Sequence, residues 1–199
     1  MPALKAFAFA LTMLLATMQI LRAAPIDAVK PEWRTPYDLY LSPTEAFQMK
    51  SAAGAGVLLI DVRTRAEIKF IGMADAVDAN IPLRMLRDDY AWSEKSATYR
   101  TRENPDFVAA VERLLQIRGL DRRSPIILMC QSGSRVPIAA RLLHQAGFRE
   151  VYTQYQGFEG FKAKQGPGQG KRVVNGWKNA KLPWSYQLDA SKMYFNFAP

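Results

Sequence analysis

The stretch Cys130-Gln131-Ser132-Gly133-Ser134-Arg135 holds the residues best suited to covalent chemistry in this chain. It follows the apolar run Pro125-Ile126-Ile127-Leu128-Met129 and precedes a helix-like segment, so it presents a thiol on a glycine-containing turn between a buried strand and a helix. Backbone N–H groups in such a turn converge into a nest for an anion. The following helix aims its positive N-terminal end at the same point. Arg135 adds a fixed positive charge. All three effects favour thiolate over thiol, and the same cradle suits a terminal persulfide anion or a substrate oxyanion. Cys130 is therefore expected to be a nucleophile, with Gln131, Ser132, Gly133, Ser134 and Arg135 forming its cradle. The plainer reading, a structural cysteine at a strand end, accounts for neither the glycine nor the arginine.

Composition narrows the chemistry. Cys130 is the only cysteine among 199 residues, so an internal disulfide is impossible, and His144 is the only histidine. A zinc site of the usual Cys/His kind is excluded, and no metal or other cofactor is expected. His144 lies 14 positions beyond Cys130, roughly 20 Å along a helix at 1.5 Å per residue, which is too far for a general base in a cysteine hydrolase. A cysteine phosphatase uses a similar cysteine and arginine, but with five residues between them to ring a full phosphate. Here four residues intervene, and the smaller ring suits a single sulfur atom. The formal net charge of +9 implies solubility and attraction of small anions. Its Lys and Arg residues form no stripe and accompany no nucleic-acid motif, so nucleic acid is not an expected partner.

The elements that must position Cys130 alternate along the chain. Ser42-Pro43-Thr44-Glu45 starts a helix running through Phe47 to about Ala53, with Gly54 and Gly56 ending it. Val57-Leu58-Leu59-Ile60, closed by Asp61, matches the run before Cys130, and both suit strands buried on two faces of a parallel sheet. Asn104-Pro105 opens a helix with Phe107, Val108, Val111, Leu114 and Leu115 on one stripe. Ser134 to Gln145 reads as another helix, stopped by Gly147, and Val151-Tyr152 and Ala76 to Ala79 as short strands. The fold class is α/β, a small doubly wound parallel sheet flanked by helices. Ligands in such sheets sit beyond the carboxyl ends of the strands, where Asp61 and Cys130 both fall. Asp61 and Arg63 are expected to support the site, Asp61 by orienting Arg63 or the active loop or by capping the next turn, and Arg63 as a bidentate partner for an acid. Residues 84–103 are polar and break the rhythm, which reads as an inserted loop or a poor helix. Arg65, Arg84 and Arg102 are candidates for the mouth of the site, while Trp92 and Trp184 read as packing residues.

The N-terminus reads as an address. Lys5 precedes an apolar run from Ala6 to Leu21, and Ala23-Ala24-Pro25 supplies small residues for cleavage. The run falls short of the roughly 18 residues needed to span a bilayer. A signal peptide is the first reading, and an uncleaved membrane anchor facing the periplasm the alternative. Either places the domain in the periplasm or outside the cell, where an unpaired cysteine needs a reason.

Several separated pieces together resemble the rhodanese family of sulfurtransferases. Leu59-Ile60-Asp61-Val62-Arg63 is similar to its strand-end signature, with Glu67 like the acidic residue that follows. Ile81-Pro82, the loop Cys130 to Arg135, and Leu142-Leu143 with Ala146-Gly147-Phe148 resemble further family segments. The resemblance spans about residues 38–162 and implies the same small doubly wound fold. It implies a double displacement in which Cys130 takes sulfur from a donor such as thiosulfate and passes it, as a persulfide, to cyanide or a thiol. The expected partners are thus a small anionic donor and a thiol or cyanide acceptor, with no stable membrane insertion unless the N-terminal segment stays uncleaved. A non-enzymatic persulfide carrier serving one partner is the alternative. The chain departs from the family at Ile71-Gly72-Met73-Ala74, at Gly157-Phe158-Glu159-Gly160 and at Val136, which leaves the cradle intact and the donor open. The expected organisation is a signal peptide over 1–24, a linker over 25–37, a rhodanese-like domain over 38–165, and an extension over 166–199 packed on it.

Overall fold

A computed structural model describes residues 25–199; the expected signal segment, 1–24, lies outside the described residues. Strand β1 (Tyr40–Leu41) leads into helix α1 (Pro43–Ala53). A capping box fixes its start: the Ser42 hydroxyl accepts the Glu45 N–H, and the Glu45 carboxylate accepts the Ser42 N–H. Strand β2 (Leu58–Asp61) delivers Asp61 to the edge of the site, and a second capping box, Thr64 with Glu67, starts helix α2 (Arg65–Ile71). Short strands β3 (Met73–Ala74) and β4 (Ala79–Asn80) follow.

Residues 84–103 are an insertion, as expected, but a more ordered one than a loop or a poor helix, with one 3-10 turn at Glu94–Ser96. They form two small antiparallel ladders: β5 (Arg84–Leu86) pairs with β8 (Thr101–Glu103), and β6 (Trp92–Ser93) with β7 (Thr98–Tyr99). Side chains reinforce this ribbon. The Arg84 guanidinium donates to the hydroxyl and the carbonyl of Thr101, and Trp92 meets Tyr99 edge to face. Helix α3 (Phe107–Ile117) buries Phe107, Ala110, Val111, Leu114 and Leu115, close to the predicted stripe. Then come β9 (Ile126–Met129), α4 (Val136–Gln145) and β10 (Val151–Gln154), followed by the tail strands β11 (Phe161–Lys162), β12 (Arg172–Val174) and β13 (Trp184–Ser185).

The central sheet has five strands in the order β1-β10-β9-β2-β4, all parallel. Strand β9 is apolar on every residue, and β2 on every residue before Asp61, because both faces of the sheet are covered. Leu58, Ile60, Ile126 and Leu128 point into a core shared with α3 and α4, while Leu59, Ile127 and Met129 point into a second core with Ala46, Ile68 and Trp177. The tail reaches both cores: Trp177 is fully buried in one, and Phe197 closes the other. Residues 25–37, read as a linker, carry two 3-10 turns, and Val29 is buried against Tyr40. Among the described residues no helix is long and apolar enough to cross a membrane.

Candidate active site

Asp61 and Met129 are register partners at the carboxyl ends of β2 and β9, and Cys130 follows Met129 directly. The loop from Cys130 to Arg135 therefore leaves the sheet at its centre, where the strand order changes direction. Cys130 is fully buried, and the Gly133 N–H donates to its Sγ at 3.2 Å. That contact needs the backbone of Gly133 at φ +89°, and a Cβ there would lie 1.9 Å from the Tyr155 carbonyl oxygen. Glycine is required on both counts.

A second turn holds the loop from behind. Gly157 approaches so closely that a Cβ on it would lie 2.3 Å from the Gln131 carbonyl carbon and the Ser132 nitrogen. The Phe158 N–H donates to the Cys130 carbonyl at 2.7 Å, and the Glu159 N–H to that of Gln131 at 2.9 Å. The Gln131 amide donates to Glu159 at 2.7 Å. Arg172, from the tail, donates to the Gly160 carbonyl at 2.7 Å and to the Gln131 side-chain oxygen at 3.3 Å.

Arg135 does not point a free charge at the thiol. Its guanidinium grips Glu67 in a two-pronged pair, with Nη1 to Oε2 at 2.8 Å and Nη2 to Oε1 at 2.5 Å. Burial pushes the Glu67 carboxyl up, but the Arg135 pair and the Thr64 hydrogen bonds outweigh it and hold the carboxyl below its ordinary value. Burial lowers Arg135, yet Glu67, with Cys130 and Asp61 beyond it, raises the guanidinium above its usual range. The expected fixed cation is thus present but already partnered, because a carboxylate on α2 faces it across the loop.

Asp61 and Arg63 find each other. Arg63 Nε lies 3.0 Å from both Asp61 oxygens and Nη2 2.7 Å from one, with both side chains fully buried. Nη2 also donates to the Gly72 carbonyl, and the guanidinium lies 4.1 Å from the centroid of the Phe158 ring. The pair therefore props the segment whose Phe158 N–H binds Cys130. His144 is exposed on the far half of α4 and meets the edge of Tyr37.

A cavity of about 800 Å³ opens over the loop, lined on one side by Gln131, Ser132 and Ser134, and on the other by the ribbon of β5 to β8. Arg84, Arg100, Arg135 and Arg172 contribute to its walls, and Glu67 is the one carboxylate among the lining residues. Of the arginines named from sequence, Arg84 lines this cavity and Arg65 and Arg102 do not. Arg100 and Arg172 escaped the sequence reading. Each lies in a polar stretch without periodicity, and only the folded ribbon and tail carry them to the loop. Among the described residues no cluster of His, Cys, Asp and Glu suits a metal ion.

Residues 42–164 match the family described as Rhodanese-like domain. The uncharacterized RP600 homolog of Rickettsia rickettsii is 27% identical over 150 residues, covering 75% of this chain and 91% of that protein. The crystal structure of Rv0390 from M. tuberculosis superposes with a TM-score of 0.52 at 27% identity, covering 74% of this chain and 97% of that one. A solution structure of a polysulfide-sulfur transferase homodimer from Wolinella succinogenes gives a TM-score of 0.40 at 23% identity, covering 73% and 77%.

Proposed function

This chain belongs to the rhodanese-like family, and from that premise we propose that it is a sulfurtransferase whose sulfur travels on Cys130. The observation that carries this reading is the Gly133 N–H on Cys130 Sγ, at the centre of the parallel sheet and beneath an arginine-lined cavity. In the first step the Cys130 thiolate attacks the outer sulfur of thiosulfate. A new S–S bond forms at Sγ, the S–S bond of thiosulfate breaks, and its electron pair leaves with sulfite. In the second step cyanide or a thiolate attacks the outer sulfur of the persulfide, and Cys130 departs as thiolate. The Gly133 N–H serves each anionic form of the sulfur, and the arginines of the cavity attract the donor.

Gln131, Ser132 and Ser134 shape the entrance, Arg135 with Glu67 fixes the start of α4, and Asp61 with Arg63 positions the supporting segment. Because no second cysteine exists in the chain, the persulfide waits for an external acceptor. If residues 1–24 direct export, that acceptor is a thiol outside the cytoplasm. Mass spectrometry after thiosulfate treatment tests the proposal. The expected result is one added sulfur atom on Cys130, removed by cyanide, with turnover lost in Cys130→Ser and kept in His144→Ala. Retained turnover in Cys130→Ser would overturn it. Single loading without turnover on free thiosulfate and cyanide would favour a carrier instead.

A further inference from the structure

A second cavity, of about 790 Å³, lies beside the first and has a different chemical character. Its apolar wall comes from three separate elements: Ile68 and Phe70 of α2, Met85 and Leu86 of β5, and Leu188 and Phe195 of the tail. Its charged wall is one-sided. Arg65, Lys69, Arg84 and Arg102 stand against the single carboxylate of Asp88. Among the described residues Arg65, Lys69 and Arg102 form no salt bridge. Phe70 and Phe195 stay 73% and 69% exposed around this hollow, so the fold leaves large apolar surface open there, with the Lys69 ammonium 5.9 Å from the centroid of the Phe70 ring.

We propose that this cavity binds a small anionic amphiphile, with its apolar chain along Phe70, Met85 and Phe195 and its acidic head on Arg65, Lys69 and Arg102. The volume falls within the range of small-molecule sites, about 300–1,000 Å³. An apolar wall facing cations that no carboxylate neutralises complements a carboxylate or sulfonate carrying a hydrocarbon chain. It complements neither a neutral lipid nor a cationic one. The first cavity is unsuited to such a ligand because hydroxyl groups and arginines dominate its lining. The two share the wall of Thr64, Ala66, Arg84 and Leu86, so the second site adjoins the sulfur-transfer site while using other residues for its ligand. The site does not depend on the chemistry proposed for Cys130.

Calorimetric titration of the purified protein with monomeric dodecanoate tests this, with dodecyltrimethylammonium as the cationic control. The expected result is one-to-one binding of dodecanoate. Affinity should fall about tenfold in Arg102→Glu and again in Phe195→Ser, and the cation should bind at least about tenfold more weakly. Cys130→Ser should bind dodecanoate as the unaltered protein does, which separates this result from the fate of the sulfur-transfer reading. Absence of dodecanoate binding, equal binding of the cation, or unchanged affinity in Arg102→Glu would overturn the proposal. So would association with phosphatidylglycerol vesicles without binding of monomeric dodecanoate, since that would mark a membrane-facing patch.

Discussion

Arg135 and Glu67 divide the charge at the active loop between them. An arginine left alone there would pull any anion toward itself, whereas the pair holds α2 and the start of α4 together and leaves the Gly133 N–H to the sulfur. The pair has a pH signature. The Glu67 carboxyl sits below its ordinary value of 4.5, so its contribution to stability is complete above that value and is lost as pH falls through its lower folded value. Glu67→Gln should therefore lower the melting temperature at neutral pH, and the gap from the unaltered protein should close on acidification below 4.5. Thermal melts recorded from neutral pH downward check this; a gap constant across the range would contradict it. The sequence shows Cys130, Gly133 and Arg135 because they fall in one short string. Their partnership with Glu67 and Tyr155 joins segments far apart in the chain, and no local pattern encodes it.

Elements differ in how plainly the sequence announces them. The apolar runs at β2 and β9 and the stripe of α3 are legible because a single burial pattern repeats over enough residues. Helix α2 covers only seven residues, too few for a periodic stripe, and its sign is the Thr64-x-x-Glu67 spacing of a capping box. The ribbon of β5 to β8 is hidden for another reason. Its strands run two or three residues and face solvent or the cavity, so they lack the alternation that marks a half-buried strand. The two capped helices allow a paired test. Ser42→Ala should cost about 1 kcal/mol of stability and leave sulfur transfer intact, because the Ser42 hydroxyl caps α1 through the Glu45 N–H and orients no group that grips Arg135. Thr64→Ala should cost a similar amount, but it should also slow sulfur transfer, because the Thr64 backbone and hydroxyl orient the carboxylate that grips Arg135. Denaturant titration and a thiosulfate-to-cyanide assay on the same two variants separate the effects; equal activity in both would remove Thr64 from the positioning of the loop.

At the scale of the whole molecule, the tail is part of the domain. Trp177 is fully buried, meets Phe47 edge to face and donates from its indole N–H to the Pro183 carbonyl. Lys178 lies 3.9 Å from the centroid of the Trp184 ring and donates to the Ile71 carbonyl, tying the tail to α2. Trp177→Ala should cost about 3–5 kcal/mol, the range for removing a large buried aromatic, measured by denaturant titration. A loss under about 1 kcal/mol would mean the tail is only draped over the sheet. The sequence signals aromatic residues in the tail but not their targets, since turns without periodic burial set its path across both cores.

The Gly133 and Gly157 contacts reach beyond this chain to its history. The loop from Cys130 to Arg135 and the turn at 155–160 press backbone against backbone, and Arg172 clasps both. A lineage adding one residue to this loop, to ring a larger oxyanion, has no slack to absorb it. It must reshape the turn and release the arginine in the same step. A change of loop length is thus not absorbed by the loop alone, and that length is guarded from outside the loop.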